Sequence, residues 1–548
     1  MKLKHSILLL VALGCISCVK IDHSVGSTLI PINQQYDIYT VEFPLEDIRE
    51  EMVDSLSGYS STRMTIGAVK DEDFGLTTRA ATMTIIPFYD TLDFGQNAKL
   101  NKFYFTIARD TLSAASQDQL DIMQNVNVYE LSEKVTGYDI NTDVKHNSKR
   151  ISKGIPVYHG QDSLKFEFTE EFAKKYMSIT QDDLSSIDTF LAKYPGIYLN
   201  TDNPVGNNGR INMFELQLGT DVDQGFVTGS FAELSFSAEY DGERKDTSFF
   251  FYFGADDFYY LDSLIYERSE GNLQYLPQYC LNITGHETQN RTGKAGEKIY
   301  VEGGGGLKPV ISSAEIKTKL TEEIVKRGGD PSRTLINKAT IELPYEYSED
   351  EYTKLDYFPT MLNPTCRIVS TSGTVSFASL TDTSSETENP GTAVYSKNEY
   401  APDITYHAQR IVRTDDETTL SNYNIWLLIM AEEVVKSYTS SSTSSSDLSS
   451  YYSQLMYANY YNSLYGGYGY GSYGYGYGSS YSGYGYNSYY NNYMTYALAS
   501  MYASSSSSTS STTTSLDTHR FYKAELIGPE TSGDRYPKMV VTFSIPKE

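Results

Sequence analysis

Nine short runs between Tyr36 and Ala295 alternate apolar and polar residues: "DIYTVEF", "TMTIIPF", "KFYFTIA", "NVNVYEL", "SLKFEFT", "INMFELQL", "AELSFSAEY", "TSFFFYF" and "LQYLPQYCLNI". A period of two sends successive side chains to opposite faces of a strand, so each run has one face to bury and one to leave in water. Gly, Asn and Asp punctuate the runs, and the helical stretches between them are short, chiefly "EEFAKKYM" and "LSSIDTFLAKY". That pattern predicts an antiparallel β-sandwich, jelly-roll-like, rather than βαβ units. Asp241-Gly242, between "FSAEY" and "TSFFFYF", predicts a two-residue hairpin turn.

A second β-sandwich region is expected over residues 296–436 plus 516–548. It opens with "IYVEGGGGLKPVISSAEIKTKLTEEIVKRGG" and continues through "INKATIELPYEY", "CRIVS", "TVSFASL", "DITYHAQRIV" and "YNIWLLIMAEEVV", with "HRFYKAELIGPE" and "KMVVTFSIP" as its closing strands. With residues 36–295 as the first region, the fold class is mainly β with a few short helices. Residues 437–515 interrupt the second region. Their only charge is Asp447, and Tyr451 to Tyr502 holds 19 of the chain's 49 tyrosines, so this is neither a charged solvating tail nor an average loop. Its Ser/Thr arms, "SYTSSSTSSS" and "SSSSSTSSTTTS", read as flexible linkers. Leu448, Tyr452, Leu455 and Met456 fall at helical spacing on one side of the Gly-Tyr repeat, as do Tyr490, Tyr493, Met494, Ala497, Leu498 and Met501 on the other. A helical hairpin and a disordered segment are both open. In either case Tyr452, Leu455, Met456, Tyr493, Met494, Leu498 and Met501 are the candidate partner contacts.

The start of the chain reads as an export signal: Lys2 and Lys4, an apolar run from Ile7 to Ile16, then small residues and cysteine in "LGCISCVK". The run is shorter than the roughly 20 residues of a membrane span. Either cysteine has a small residue before it, as a lipoprotein acceptor requires; Cys18 leaves the longer apolar stretch and is preferred, with Cys15 as the alternative. Residues 1–17 are then the signal and 18–35 a polar tether. Acyl chains on the thiol would anchor the chain to a membrane. The formal charge of -26 opposes phosphate backbones, so no nucleic-acid partner is expected.

Catalytic motifs are absent from the sequence. No histidine pair has zincin spacing, the Lys of "GGGGLK" is not followed by Ser or Thr as in a phosphate loop, and no G-x-S-x-G elbow occurs. The glycine run is instead expected to form a tight turn at a domain junction. Asp221 and Asp223 begin like a calcium loop without its later ligands. Asp71/Asp73 and Asp256/Asp257 are carboxylate pairs of the kind found by chance in an acidic chain. Neither cofactor nor metal is expected, and the chain is read as non-enzymatic. Cys280 and Cys366, in strand-like runs, form a disulfide or remain two free thiols.

The lipoprotein start, "DHSVGSTLIP", "VYELSEKVTGYDINTD", "IYVEGGGGLKPVI" leading into "INKATIELPYE", and the closing "YPKMVVTFSIP" together resemble the Bacteroidota lipoprotein family catalogued as domain of unknown function 4270. The resemblance implies an outer-membrane lipoprotein, displayed at the cell surface, with β-sandwich domains and no assigned catalytic residue. Two roles are expected of such a chain. One is an accessory subunit of an outer-membrane β-barrel complex serving outer-membrane protein assembly or export; the other is binding of surface glycans through exposed tyrosines.

Overall fold

Alternation becomes strand where both neighbours can pair, and a computed structural model shows which do. It describes residues 35–547 apart from 54–55, 61, 88–90, 111–121, 138, 217, 222–225, 255–279, 288–290, 348–354, 370–374, 385–388 and 440–506. The protein is mainly strand, in antiparallel sheets with a few short helices.

The first body is built on a 13-stranded sheet whose hydrogen-bonded path returns on itself. Strand Gly75–Pro87 pairs with Arg63–Asp71, which leads through Gly209–Glu215, Gln96–Arg109 and Phe231–Tyr240 to Glu243–Gly254. Phe251 to Gly254 then pair back onto Pro87 to Thr84. The inward faces meet in an aromatic core centred on Phe103, whose ring lies 4.7 Å from Phe168, 5.3 Å from Tyr176 and 5.4 Å from Phe251. Burying each such ring contributes about 1.5–3 kcal/mol. Helices Glu170–Tyr176 and Ile187–Lys193, where the sequence predicts them, begin at Thr169 and Ser186, whose side chains accept the amides of Phe172 and Thr189. The Asp241-Gly242 turn also forms, with φ of 53° and 81°, both positive as a type I′ turn requires.

The second body holds a five-stranded sheet and a seven-stranded sheet over a core of its own. Its sequence boundaries differ from expectation. Strand Tyr36–Pro44 pairs along its whole length with Lys538–Pro546, and Ile48–Met52 pairs with Leu307–Ile311. Residues 36–52 therefore belong to the second body, as does Gly293–Lys294, which pairs with Ile48–Met52. The first body is an insertion between Met52 and Gly293, and the 36–295 boundary is corrected accordingly. Alternation finds strands but carries no record of which distant strand lies alongside.

Two local readings also change. "DITYHAQRIV", grouped above with the strand runs, contains helix Thr405–Arg413, which buries His407, Ala408, Ile411 and Val412. Its first amide, at Thr405, is taken by the local Asp403 carboxylate, but those at Tyr406 and His407 are taken by Asp382, an acceptor more distant in sequence. The Ser/Thr arms are not linkers throughout. Strand Ile425–Thr439 runs past its sheet, and Met430 to Thr439 pair in unbroken register with Leu516 to Ser507. Nine successive Ser or Thr residues thus form a strand, which β-branched Thr tolerates well. The interruption shortens from 437–515 to 440–506.

Candidate functional site

Where the two bodies meet, five charged or titratable side chains are taken out of water. The chain crosses between the bodies after Met52 and again after His286, and the cluster sits at that second crossing. Arg79 and His286 come from strands Gly75–Pro87 and Cys280–His286 of the first body; Glu302, Lys308 and Asp517 come from the second. Arg79 is 1% exposed, Glu302 0% and Lys308 2%. His286 Nδ1 lies 2.7 Å from Glu302 Oε1, and the Thr77 hydroxyl donates to the same oxygen at 2.6 Å.

The glycine run forms the expected turn at a domain junction, and its carbonyls have a use. Lys308 Nζ donates to the carbonyls of Gly304 and Gly306, each at 3.0 Å, and to that of Glu302. Three acceptors match the three donors of an ammonium. Gly304 has φ +60°, and a Cβ there would sit 3.1 Å from Arg79 Nη2; one on Gly306 would lie 2.4 Å from Glu302 Oε2. Side chains at these positions would push into the cluster.

Burial dominates the electrostatics. It pushes the Lys308 ammonium down to about 7 against the attraction of Glu302, and Arg79 adds repulsion. It lowers Arg79 to about 10 although Glu302 and Asp517 both attract the guanidinium. Arg79 Nε and Nη2 have no hydrogen-bond partner among the described residues. Burial holds His286 below the ordinary histidine range, so the imidazole is neutral near pH 7. Burial also acts against the Glu302 carboxylate, but His286, Thr77 and Arg79 together keep it below the ordinary glutamate range. Around this cluster the junction is held by the Lys523–Asp71 ion pair and the edge-on rings of Phe74 and Tyr300, 5.4 Å apart. Val53, Leu56, Ile140 and Leu428 add a small apolar cluster, with Trp426 packed against it.

Other sequence candidates separate under geometry. Cys280 and Cys366 are both free thiols, the first in the 13-stranded sheet and the second in the seven-stranded one, so the disulfide alternative is not formed. Cys366, His407 and Asp382 have the composition of a nucleophilic trio but not its arrangement. Cys366 Sγ is 3.9 Å from His407 Nε2, which instead reaches the Tyr423 carbonyl at 2.8 Å, while Asp382 faces backbone amides. Burial drives the thiol up to about 12 and the imidazole down to about 4, the opposite of a thiolate–imidazolium pair. Asp71 does not pair with the Asp73 carboxylate; its Oδ1 accepts the amides of Asp73 and Phe74 and closes a turn. Asp221 ends strand Leu218–Asp221. Asp223, Asp256, Asp257, Cys15, Cys18, Tyr452, Leu455, Met456, Tyr493, Met494, Leu498 and Met501 lie outside the described residues, as does the helical-hairpin expectation. Among the described residues no group of three His, Cys, Asp or Glu side chains could hold a metal ion, and no helix is long and apolar enough to cross a membrane.

One outward face of the first body combines aromatic rings with a polar ladder. The His146 ring stacks on Tyr129 at 4.5 Å and on Tyr198 at 4.9 Å. Beside them Asp202 accepts from Asn125 and Asn127, and Arg150 Nε donates to Asn127 Oδ1. Sequence reasoning did not single out these residues or the junction cluster. The cluster left one trace: Arg79 and Lys308 interrupt otherwise uncharged strand runs, "TTRAATMTII" and "GLKPVI".

Fold and site together define a mainly β, antiparallel chain in which one body is inserted into another across a buried charge cluster. Comparison with family models, curated proteins and solved structures finds no match.

Proposed function

We propose that this chain is a non-enzymatic outer-membrane lipoprotein, held through Cys18 or Cys15, that serves as an interaction subunit of an outer-membrane β-barrel complex in protein assembly or export. The observation that carries the reading is the two-stranded ribbon. Beyond Met430 strand Ile425–Thr439 leaves its sheet partner Met361–Val369 and, among the described residues, pairs only with Ser507–Leu516. Such a ribbon gains little from its own fold, since an isolated hairpin is marginal in water. Its open edges are suited to pairing with another chain. The weakly charged segment 440–506 joins its two strands.

The test is a pull-down from detergent-solubilised outer membranes with the parent chain and with residues 432–514, the ribbon and the segment that joins it, replaced by an Asn-Gly turn between the paired Ala431 and Ser515. The parent is expected to retain a β-barrel partner and the shortened chain to lose it while keeping its thermal midpoint. Absence of a barrel partner with the parent would refute the reading. A second reading, binding of neutral glycans, draws on the Tyr129–His146–Tyr198 stack and its Asp/Asn/Arg ladder. Retention on a glycan array that is lost in Tyr198→Ala would favour it.

A further inference from the structure

We propose that the Arg79–His286–Glu302–Lys308 cluster is an acid-sensitive latch between the inserted body and the body that encloses it. The groups are split across the junction: Arg79, His286 and Thr77 on one side, Glu302, Lys308 and Asp517 on the other. Each body has its own apolar core, so the bodies can part without either core being lost. Ion pairs buried in this way add little net affinity, because desolvation offsets attraction, but they make docking depend sharply on charge balance.

That balance rests on few groups. His286 faces Glu302, Arg79 and Lys308; Glu302 faces His286, Arg79, Lys308 and the Thr77 hydroxyl. Asp517, the other carboxylate near Arg79, lies 3.4 Å from Arg520 Nη1 and is shared with it. A proton added to His286 places a third cation beside Arg79 and Lys308, and a proton added to Glu302 removes their main counter-charge. The sign is the same for each group. His286 and Lys308 hold folded values depressed below their free values, so the closed state is disfavoured as pH falls through each depressed value. Glu302 is also depressed, and its contribution is lost as pH falls through its folded value, below the ordinary glutamate range. In the open state water solvates all of these charges.

Trp426, the single tryptophan, packs at the junction beside Phe377 at 5.3 Å and reports the opening. The full chain in detergent is titrated from about pH 8 to about pH 5, a window in which histidine changes charge, with tryptophan emission, small-angle scattering and far-UV circular dichroism recorded together. Expected are a red shift of emission and a larger radius of gyration with unchanged circular dichroism. His286→Gln keeps a hydrogen-bond donor toward Glu302 without taking up a proton, and should move the opening at least about one pH unit lower. Glu302→Gln should be open already at about pH 8. A parent that stays closed to about pH 5, or a His286→Gln variant that opens where the parent does, overturns the proposal. The second outcome would assign the transition to another group, such as the buried His407. If Glu302→Gln does not fold, the comparison between the parent and His286→Gln decides.

Discussion

Replacing Lys308 by Met tests the account of the junction most directly. Methionine retains the length and apolar stem of the lysine but has no ammonium, so packing is preserved while the carbonyls of Glu302, Gly304 and Gly306 lose their common donor. An unsatisfied buried acceptor costs about 1–3 kcal/mol; in alkaline solution the folded lysine is a neutral amine with two N–H donors for these carbonyls, and neighbouring losses are not additive, so a loss of about 2–4 kcal/mol is expected there. The deficit depends on pH. Because burial sets Lys308 at about 7 in the folded chain and a free lysine titrates near ~10.4, the folded state binds fewer protons than the unfolded one between those values. Stability of the parent therefore rises with pH across that window, by about 1 kcal/mol per unit from this group, and is lost as pH falls toward about 7. Lys308→Met lacks that slope, so its deficit shrinks on acidification. Urea unfolding followed by far-UV circular dichroism at several pH values measures both quantities. A variant within about 0.5 kcal/mol of the parent at every pH, the range of ordinary surface substitutions, would refute the carbonyl cradle; an unchanged slope would refute the depressed lysine.

Two further expectations concern the cores. Phe103→Ala removes the ring around which Phe168, Phe172, Tyr176 and Phe251 pack and should cost about 3–5 kcal/mol in urea unfolding; a loss under about 1 kcal/mol would show that the core collapses around the gap. Cys280 and Cys366 are free, with thiols that burial pushes well up. A thiol reagent should leave the buried Cys280 unlabelled in the native chain at neutral pH, react slowly with the half-buried Cys366 and label both in denaturant, and mass spectrometry without reductant should find no bridge between them; fast native labelling of Cys280 would contradict its burial.

Much of the fold was legible in single segments. Within the described residues the alternating runs, the Asp241-Gly242 turn and helices Glu170–Tyr176 and Ile187–Lys193 form where local pattern and local caps predict them. Helix Thr405–Arg413 was missed although Asp403 caps Thr405 locally; its next two amides are taken by Asp382, which arrives from another part of the chain. The Ser/Thr strand Ser507–Leu516 escaped for a related reason: composition suggests a linker, and only the register with Ile425–Thr439 makes it a strand. For the candidate site, the glycine run was recognisable as a turn at a junction, but not as the carbonyl cage of a buried lysine. The cage needs Lys308 to fold back over the turn, and Arg79 and His286 to approach from residues more than two hundred positions away from it or on the far side of the chain crossing.

By itself, then, the sequence determined the mainly β character of the chain, its several antiparallel strands and its short helices, because period and capping act over a few residues. Tertiary structure decided which strands are neighbours. It joined Tyr36–Pro44 to Lys538–Pro546, made the first body an insertion in the second, and brought five ionisable groups from both into one dry cluster. Strand pairing is satisfied by any backbone of suitable register, and a charge is costly or harmless according to what surrounds it. Neither property resides in the residues alone.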